Sequence, residues 1–280
     1  MTAPADPLQP DPSTPVEAGV GSGARLTFVG TATTILRLGR FTVLTDPNFL
    51  HRGQRAYLGK GLWSRRLSEP AIGIEELPRL SAVVLSHLHG DHFDRVPRAG
   101  LDRAAPIITT VPAGKRLQRY GFRTHGLEYW GRHTLREGSE ELSIESLPAV
   151  HARGVVGRLL PPVMGSLLEH RVNAAVVRRV MLSGDTLTGD HLDTIHRRHP
   201  DIDVAVVHLG GTRVLLHTVS MDAAQGVDYL RRIAPSRAIP VHFNDYGVFR
   251  SELSDFLRAA SLAGLDGVVR PVRPGDTISL

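Results

Sequence analysis

Over much of the chain apolar positions come in short runs or recur with a period of two, the mark of strands. Leu26–Val29, Thr33–Leu38 and Phe41–Leu44 read as short strands, with Gly30, Gly39 and Arg40 at the turns between them. Ser81–Ser86 is a nearly unbroken apolar run, which predicts a strand buried on both faces. Ile107–Thr110 is a further strand, followed by a short helix over Pro112–Tyr120. Leu142–Leu147 alternates as a half-buried strand, and Ala174–Leu182 and Val204–His208 are buried ones. The pattern then shifts to the helical period over Met221–Ile233, with Ser220 as the predicted N-cap. Ala238–Val241 is a strand, Ser251–Ala263 a helix, and the last ten residues a closing strand pair. Residues 47–78 lack any period but carry Tyr57 and Trp63 at exposed-looking positions, which predicts an active-site flap. Mixed strands and helices of this kind predict an α/β sandwich of two or four layers.

Composition narrows the picture. With 280 residues, 41% hydrophobic and 22% charged, the chain can bury a sizeable core. Residues 1–24 are rich in Pro, Gly, Ala and Ser and read as a flexible tail. No shift in composition follows, so residues 25–280 are expected to form a single domain. The absence of cysteine excludes disulfides, thiolate nucleophiles and cysteine-ligated metals. A net charge of +5 is carried almost wholly by arginine, since Lys60 and Lys115 are the only lysines. Its arginines are scattered, so the charge reflects either an arginine-rich composition or an attraction for anions. The N-terminus has no positive and apolar leader, and no apolar run spans a bilayer, so a cytoplasmic protein without a transmembrane segment is expected.

The strongest chemical signal follows the buried run directly: Ser86-His87-Leu88-His89-Gly90-Asp91-His92-Phe93-Asp94. Three histidines and an aspartate within six residues have no ready explanation in packing. At an extended strand end residues i and i+2 share a face, so His87 and His89 project together. Gly90 is expected to turn the chain, so that Asp91 and His92 address a second point close by. Two ligand pairs aimed at neighbouring points suit two metal ions.

This H-x-H-x-D-H run at a strand end resembles the signature of the metallo-β-lactamase superfamily, and the later ligands of that family are matched in order. His151 ends Pro148-Ala149-Val150-His151, Asp185 lies in Ser183-Gly184-Asp185-Thr186, and His242 ends Ile239-Pro240-Val241-His242. The resemblance extends from about Arg25 to the C-terminus and implies a four-layer αββα sandwich. It implies that His87, His89 and His151 hold one metal, that Asp91, His92 and His242 hold the other, and that Asp185 bridges. Two divalent ions are implied, Zn²⁺ first, with Mn²⁺ or Fe²⁺ open because no thiolate biases the choice. A hydroxide held between ions about 3.5–4 Å apart is then the nucleophile, with Asp91 as the catalytic residue that orients it or takes its proton. Leu160-Pro161-Pro162, the Gly-Asp-Thr run and Met221-Asp222-Ala223-Ala224-Gln225 resemble the branch of N-acyl-phosphatidylethanolamine phospholipase D and ascorbate-phosphate lactonase.

Other residues carry weaker signals. Asp46 ends an early strand, as a turn cap or as the partner of a metal-ligating histidine. His208, His217 and Asn244 fall near strand ends that ring one face, and His217 and Asn244 are expected to touch substrate. His191, His196 and His199 read as a solvated helix face.

The leading expectation is a hydrolase that cleaves an ester, lactone, amide or phosphodiester bond in a small molecule or lipid head group. A nuclease is the alternative, though the sequence shows neither an RNA-binding module nor an interleaved basic and aromatic patch. A di-iron redox protein would need a flavin domain for which no length remains, and a non-catalytic metal-binding protein has no need of a full ligand set. Lactamase activity itself does not follow from a fold.

Overall fold

The computed structural model describes residues 23–154, 157, 160–214 and 217–280, with the side chains of Val214 and His217 outside that set. The expected tail falls outside it up to Ser22. The amide of Leu280 donates to the Ala24 carbonyl, tying together the two ends of the described residues.

In chain order the strands begin with β1 (Arg25–Gly30), β2 (Thr33–Leu38), β3 (Phe41–Thr45), β4 (Arg55–Tyr57), β5 (Trp63–Arg65) and β6 (Ala82–Val84). Helix α1 (Arg95–Gly100), β7 (Ile107–Thr110), α2 (Val111–Gln118), β8 (Thr124–Leu127), β9 (Arg132–Glu137) and β10 (Glu140–Pro148) follow. Then come β11 (Met164–Val172), β12 (Ala175–Leu182), α3 (Asp190–Arg198), β13 (Val204–His208), β14 (Arg213–Val214) and β15 (His217–Thr218). The chain closes with α4 (Ala223–Ile233), β16 (Arg237–Val241), α5 (Leu253–Leu262) and β17 (Thr277–Ser279). None of the described helices is long and apolar enough to cross a membrane.

Among the described residues two large sheets form, in the orders β17-β1-β2-β3-β6-β7-β8 and β16-β13-β12-β11-β10-β9, beside the two-stranded pairs β4-β5 and β14-β15. The period of two explains how they stack. On β2 and β3, Leu36, Leu38, Phe41 and Val43 meet Ile144, Leu168, Val180 and Val206 of the other sheet in the central core. The alternate residues Ile35, Leu44, Val83 and Leu85 face outward and pack with Leu101 and Leu117 beside α1 and α2. On the far side Met181, Ala205 and Val207 pack against Leu192, Ile195, Leu230 and Phe256 of α3, α4 and α5. The result is the expected four-layer αββα sandwich. Each fully buried Leu or Phe in these layers contributes about 1.5–3 kcal/mol of apolar burial.

Several local expectations are corrected. Helix α4 is capped by Asp222, which accepts from the Gln225 amide, whereas the Ser220 hydroxyl accepts from the Thr212 amide. The carboxylate wins because it also meets the positive helix end. The C-terminus supplies one strand, β17, which pairs with β1. Strand β11 has no counterpart in the sequence reading, although it pairs with both β10 and β12. Helix α3 is amphipathic, with Leu192 and Ile195 buried. The three histidines read as solvated are bonded: His191 to the Thr186 hydroxyl, His196 to the Ile233 carbonyl and His199 against Glu145.

Candidate metal centre

Strand direction sets the site. Strands β3 and β6 run parallel, β12, β13 and β16 run parallel, and β10 shares its direction with β12 because both are antiparallel to β11. Their carboxyl ends deliver Asp46, the His87–His92 loop, His151, Asp185, His208 and His242, and the hydrogen bonds below bring these side chains together. A crevice at carboxyl strand ends is the usual place for a ligand in α/β sheets.

There the sequence-predicted ligands form two adjoining clusters. His87, His89 and His151 each offer a nitrogen within 4.8 Å of the others, and so do the donors of Asp91, His92 and His242. Asp185 groups with His87 from the first cluster and His92 from the second, which puts it between the two. The His87 Nε2 and His89 Nδ1 atoms are 2.9 Å apart, and His151 Nε2 lies 3.4 Å from the same Nδ1. Nitrogens bound tetrahedrally to one zinc at about 2.0–2.1 Å lie roughly 3.3 Å apart, so these three are spaced as ligands. In the second cluster His92 Nε2 lies 3.4 Å from Asp185 Oδ2 and His242 Nε2 lies 3.5 Å from Asp91 Oδ2. Buried atoms without a hydrogen-bond partner concentrate here: Asp91 Oδ1, His92 Nε2, Asp185 Oδ1 and His242 Nε2. Buried polar atoms are rarely left unpaired, and a cation satisfies all four.

Hydrogen bonds behind the cluster fix the rings. The Val219 carbonyl accepts from His151 Nδ1 and the Leu209 carbonyl from His242 Nδ1, each at 2.9 Å, leaving Nε2 free to face inward. Asp46 stands behind His92, with Oδ2 3.2 Å from His92 Nδ1 and 3.2 Å from His208 Nε2, while Oδ1 accepts from the Ser86 amide. The Ser183 hydroxyl lies 3.1 Å from the other nitrogen of His208. Asp46 and His242 have positive φ, 35° and 61°, a conformation that costs a non-glycine residue energy and is kept where surroundings enforce it.

Burial and mutual charge divide the histidines. Burial, then the charges of neighbouring imidazoles, hold His87 well below its ordinary pKa. Burial and His151 bring His89 to about 4. Burial likewise opposes charge on His92, but Asp185, Asp46 and Asp91 outweigh it and hold that pKa well above the usual value. For Asp185, burial is outweighed by His242 and His92, which keep its carboxyl ionised.

A cavity of about 330 Å³ opens over the clusters, with His89, Asp91, His151 and Asp185 on its floor. Leu58, Leu62, Leu160 and Val219 form apolar walls, with Lys60 and Arg213 also lining it. The roof is the expected flap, the β4–β5 hairpin. Its Tyr57 carbonyl accepts from the Gly90 amide. A Cβ on Gly90 would lie 2.7 Å from both Tyr57 N and O. Gly90 lies in the expected turn, where the His92 and Phe93 amides donate to the His89 carbonyl, but its φ is not positive, and its missing Cβ serves the close approach of the flap backbone. Asn244 lines neither this cavity nor the groove beside it, and its exposed side chain accepts from the Leu253 amide. The side chain of His217 lies outside the described residues. Thr212 was not singled out by the sequence, yet its buried Oγ1 lacks a partner and the residue lines the cavity. The only sequence signal for it was its place four residues after the end of β13, behind two glycines.

Known proteins of similar sequence and fold place the chain in a family. The chain is 26% identical over 258 residues to a UPF0173 metal-dependent hydrolase of Archaeoglobus fulgidus, covering 90% of this chain and 97% of that one. Its fold resembles that of a possible metal-dependent hydrolase from Veillonella parvula, with a TM-score of 0.79 at 19% identity over 92% of this chain and 100% of that one. An isothiocyanate hydrolase from Delia radicum gut bacteria superposes with a TM-score of 0.77 at 17% identity, over 91% and 98% of the two chains. The family model described as Beta-lactamase superfamily domain matches residues 42–243, a span that includes every clustered residue from Asp46 to His242. The chain therefore belongs to the metallo-β-lactamase superfamily.

Proposed function

We propose that this chain is a metal-dependent hydrolase that binds two divalent ions and cleaves an ester, lactone, amide or phosphodiester bond of a small molecule. The observation that carries this reading is the convergence of His87, His89 and His151 nitrogens at ligand spacing beside a second cluster with unpaired buried atoms. The metal-dependent hydrolases among its relatives support it.

His87, His89 and His151 would hold one ion and Asp91, His92 and His242 the other, with Asp185 offering a carboxylate between the two clusters. Nitrogen and carboxylate donors without thiolate suit Zn²⁺, Mn²⁺ or Fe²⁺. Three buried carboxylates, Asp46, Asp91 and Asp185, favour two divalent ions over one, because buried negative charge needs compensation. Such ions supply acidified water and a Lewis acid for the oxygen of the bond under attack.

The protein's own groups do the rest. Asp91 lines the cavity, and its carboxylate orients the attacking water or takes its proton. The Thr212 hydroxyl donates to a substrate oxygen, and the leucine walls exclude bulk water. Lys60 and Arg213 draw anionic substrates to the opening.

The reading is tested with His89→Ala and Asp185→Ala, each purified and assayed against a panel of esters, lactones and phosphodiesters. Both variants are expected to stay folded at low temperature while losing bound metal and turnover together. Turnover retained by either would sink the two-ion mechanism.

A further inference from the structure

A second groove, of about 500 Å³, runs from the metal centre beneath the outer side of the flap. It shares Leu58, Gly59, Lys60, His89 and Leu160 with the first cavity, so the two meet at His89. Its lining is of two kinds. Leu50, Leu88, Phe93 and Pro161 make an apolar bed. Around that bed stand Arg55 from β4, Lys60 from the hairpin tip, Arg95 and Arg98 from α1, and Arg116 from α2.

These cations come from three separate segments, the hairpin, α1 and α2, and all five are exposed. Arg95 and Arg98 are three residues apart on α1 and share a face. Among the described residues none of the five has a carboxylate within 4.0 Å, whereas Arg132, Arg171, Arg179 and Arg232 elsewhere are paired. Asp94, the one carboxylate lining the groove, is committed to the amides of Phe49, Leu50 and Val96 and to the Asn48 side chain. Arg98 stacks over the Tyr120 ring at 5.2 Å, and both Arg116 and Arg98 hold that phenol below its ordinary pKa. Like charges gathered on a concave, partly apolar surface repel one another and focus a positive potential that an anion relieves.

We propose that the substrate is an amphipathic anion, with a phosphate or carboxylate seated among Arg55, Arg95, Arg98 and Arg116 and an apolar body on the leucine and phenylalanine bed. The body leads past His89, so the bond to be cleaved lies over the metal centre while the anion is gripped away from it. This deepens the hydrolase reading and rests on it only for the placement of the bond, since the anion subsite stands on the groove itself. The exposed rings of Tyr57 and Trp63, packed 4.9 Å apart, give the groove a wall on the flap side. The apolar bed favours a small amphiphile over a nucleic-acid backbone, which would need an extended polar track.

The test is calorimetric titration of hexyl phosphate into the metal-loaded and the chelator-stripped protein, with hexanol and octathymidylate as comparison ligands. Hexyl phosphate is expected to bind both forms at least tenfold more tightly than hexanol, and to weaken as salt is raised. R98Q/R116Q, at two exposed positions, is expected to bind it at least tenfold more weakly, and R98K/R116K to restore most of the loss. Equal binding of hexanol, unchanged binding by R98Q/R116Q, or tighter binding of octathymidylate would overturn the proposal. Co-sedimentation with phosphatidic-acid vesicles, in addition to hexyl phosphate binding, assigns the anion to a lipid, and its absence assigns it to a soluble ester. A chain that holds no metal and hydrolyses nothing, yet binds hexyl phosphate through these arginines, refutes the hydrolase reading and leaves the subsite standing.

Discussion

Asp46 offers the sharpest test of how the protein prepares its centre. One carboxylate serves three partners: the Ser86 amide, His92 Nδ1 and His208 Nε2. It is buried, and burial alone would raise its pKa, but His92 and His208 keep it ionised well below the usual range. Asp46→Asn preserves the shape, removes the charge and turns one acceptor oxygen into a donor. Either the Ser86 amide or the two imidazoles then face a donor, and a buried group left unpaired costs about 1–3 kcal/mol. Loss of a carboxylate behind a metal-ligating histidine weakens metal binding about 10–100-fold, or roughly 1.4–2.8 kcal/mol. The two estimates agree, so the variant should bind metal about 10–100-fold more weakly in competition with a chromophoric chelator. Its far-ultraviolet circular dichroism should match that of the parent. Metal affinity within twofold of the parent would refute the view that Asp46 orients His92.

Three further outcomes are expected. Gly90→Ala places a Cβ against the Tyr57 backbone, and overpacking of this kind costs about 1–3 kcal/mol. Its Tm should fall by about 2–4 °C per kcal/mol, with faster proteolysis of the flap, and an unchanged Tm would show that the hairpin does not rest on Gly90. Thr212→Val removes one hydroxyl from the cavity and should lower kcat/KM roughly 2–10-fold with bound metal unchanged, and equal kinetics would exclude Thr212 from the substrate. Away from the centre, burial raises the carboxyls of Glu145 and Glu169, but His199 and Arg132 in one case and Arg179 and Arg171 in the other hold them below the ordinary range. Depressed carboxyls stabilise the fold above the unfolded glutamate pKa of about 4.3, and that contribution is lost as pH falls below it. Metal-free protein should lose thermal stability below about pH 5, and Glu169→Gln should flatten that fall, visible in scanning fluorimetry across pH.

Some of this was legible in the residues and some was not, for physical reasons. Strands buried on both faces, such as β6 and β13, announce themselves because their positions are apolar apart from the terminal His208. Strand β11 does not, because its outer half carries Glu169, His170 and Arg171, which pair with Arg179 of β12, with Glu140 of β10 and, within β11, with Glu169. The histidine and aspartate cluster was readable because its first four members are adjacent in sequence and its chemistry is dense. Asp46 was ambiguous, since a carboxylate after a strand caps a turn or supports a ligand equally well, and only its contact with His92 decides. The groove was invisible. Arg55, Arg98 and Arg116 are far apart along the chain, and the sequence showed no basic and aromatic patch because folding alone assembles it.

The central claim is that two divalent ions occupy the buried histidine and aspartate clusters, and metal content tests it most directly. Plasma mass spectrometry on the purified protein, with a chelator-stripped and reloaded control, should give about two zinc, manganese or iron ions per chain, by the ligand chemistry of the clusters. Asp185→Ala should reduce that number. A chain that holds no metal even after reloading would contradict the account and leave the clustered histidines a structural feature.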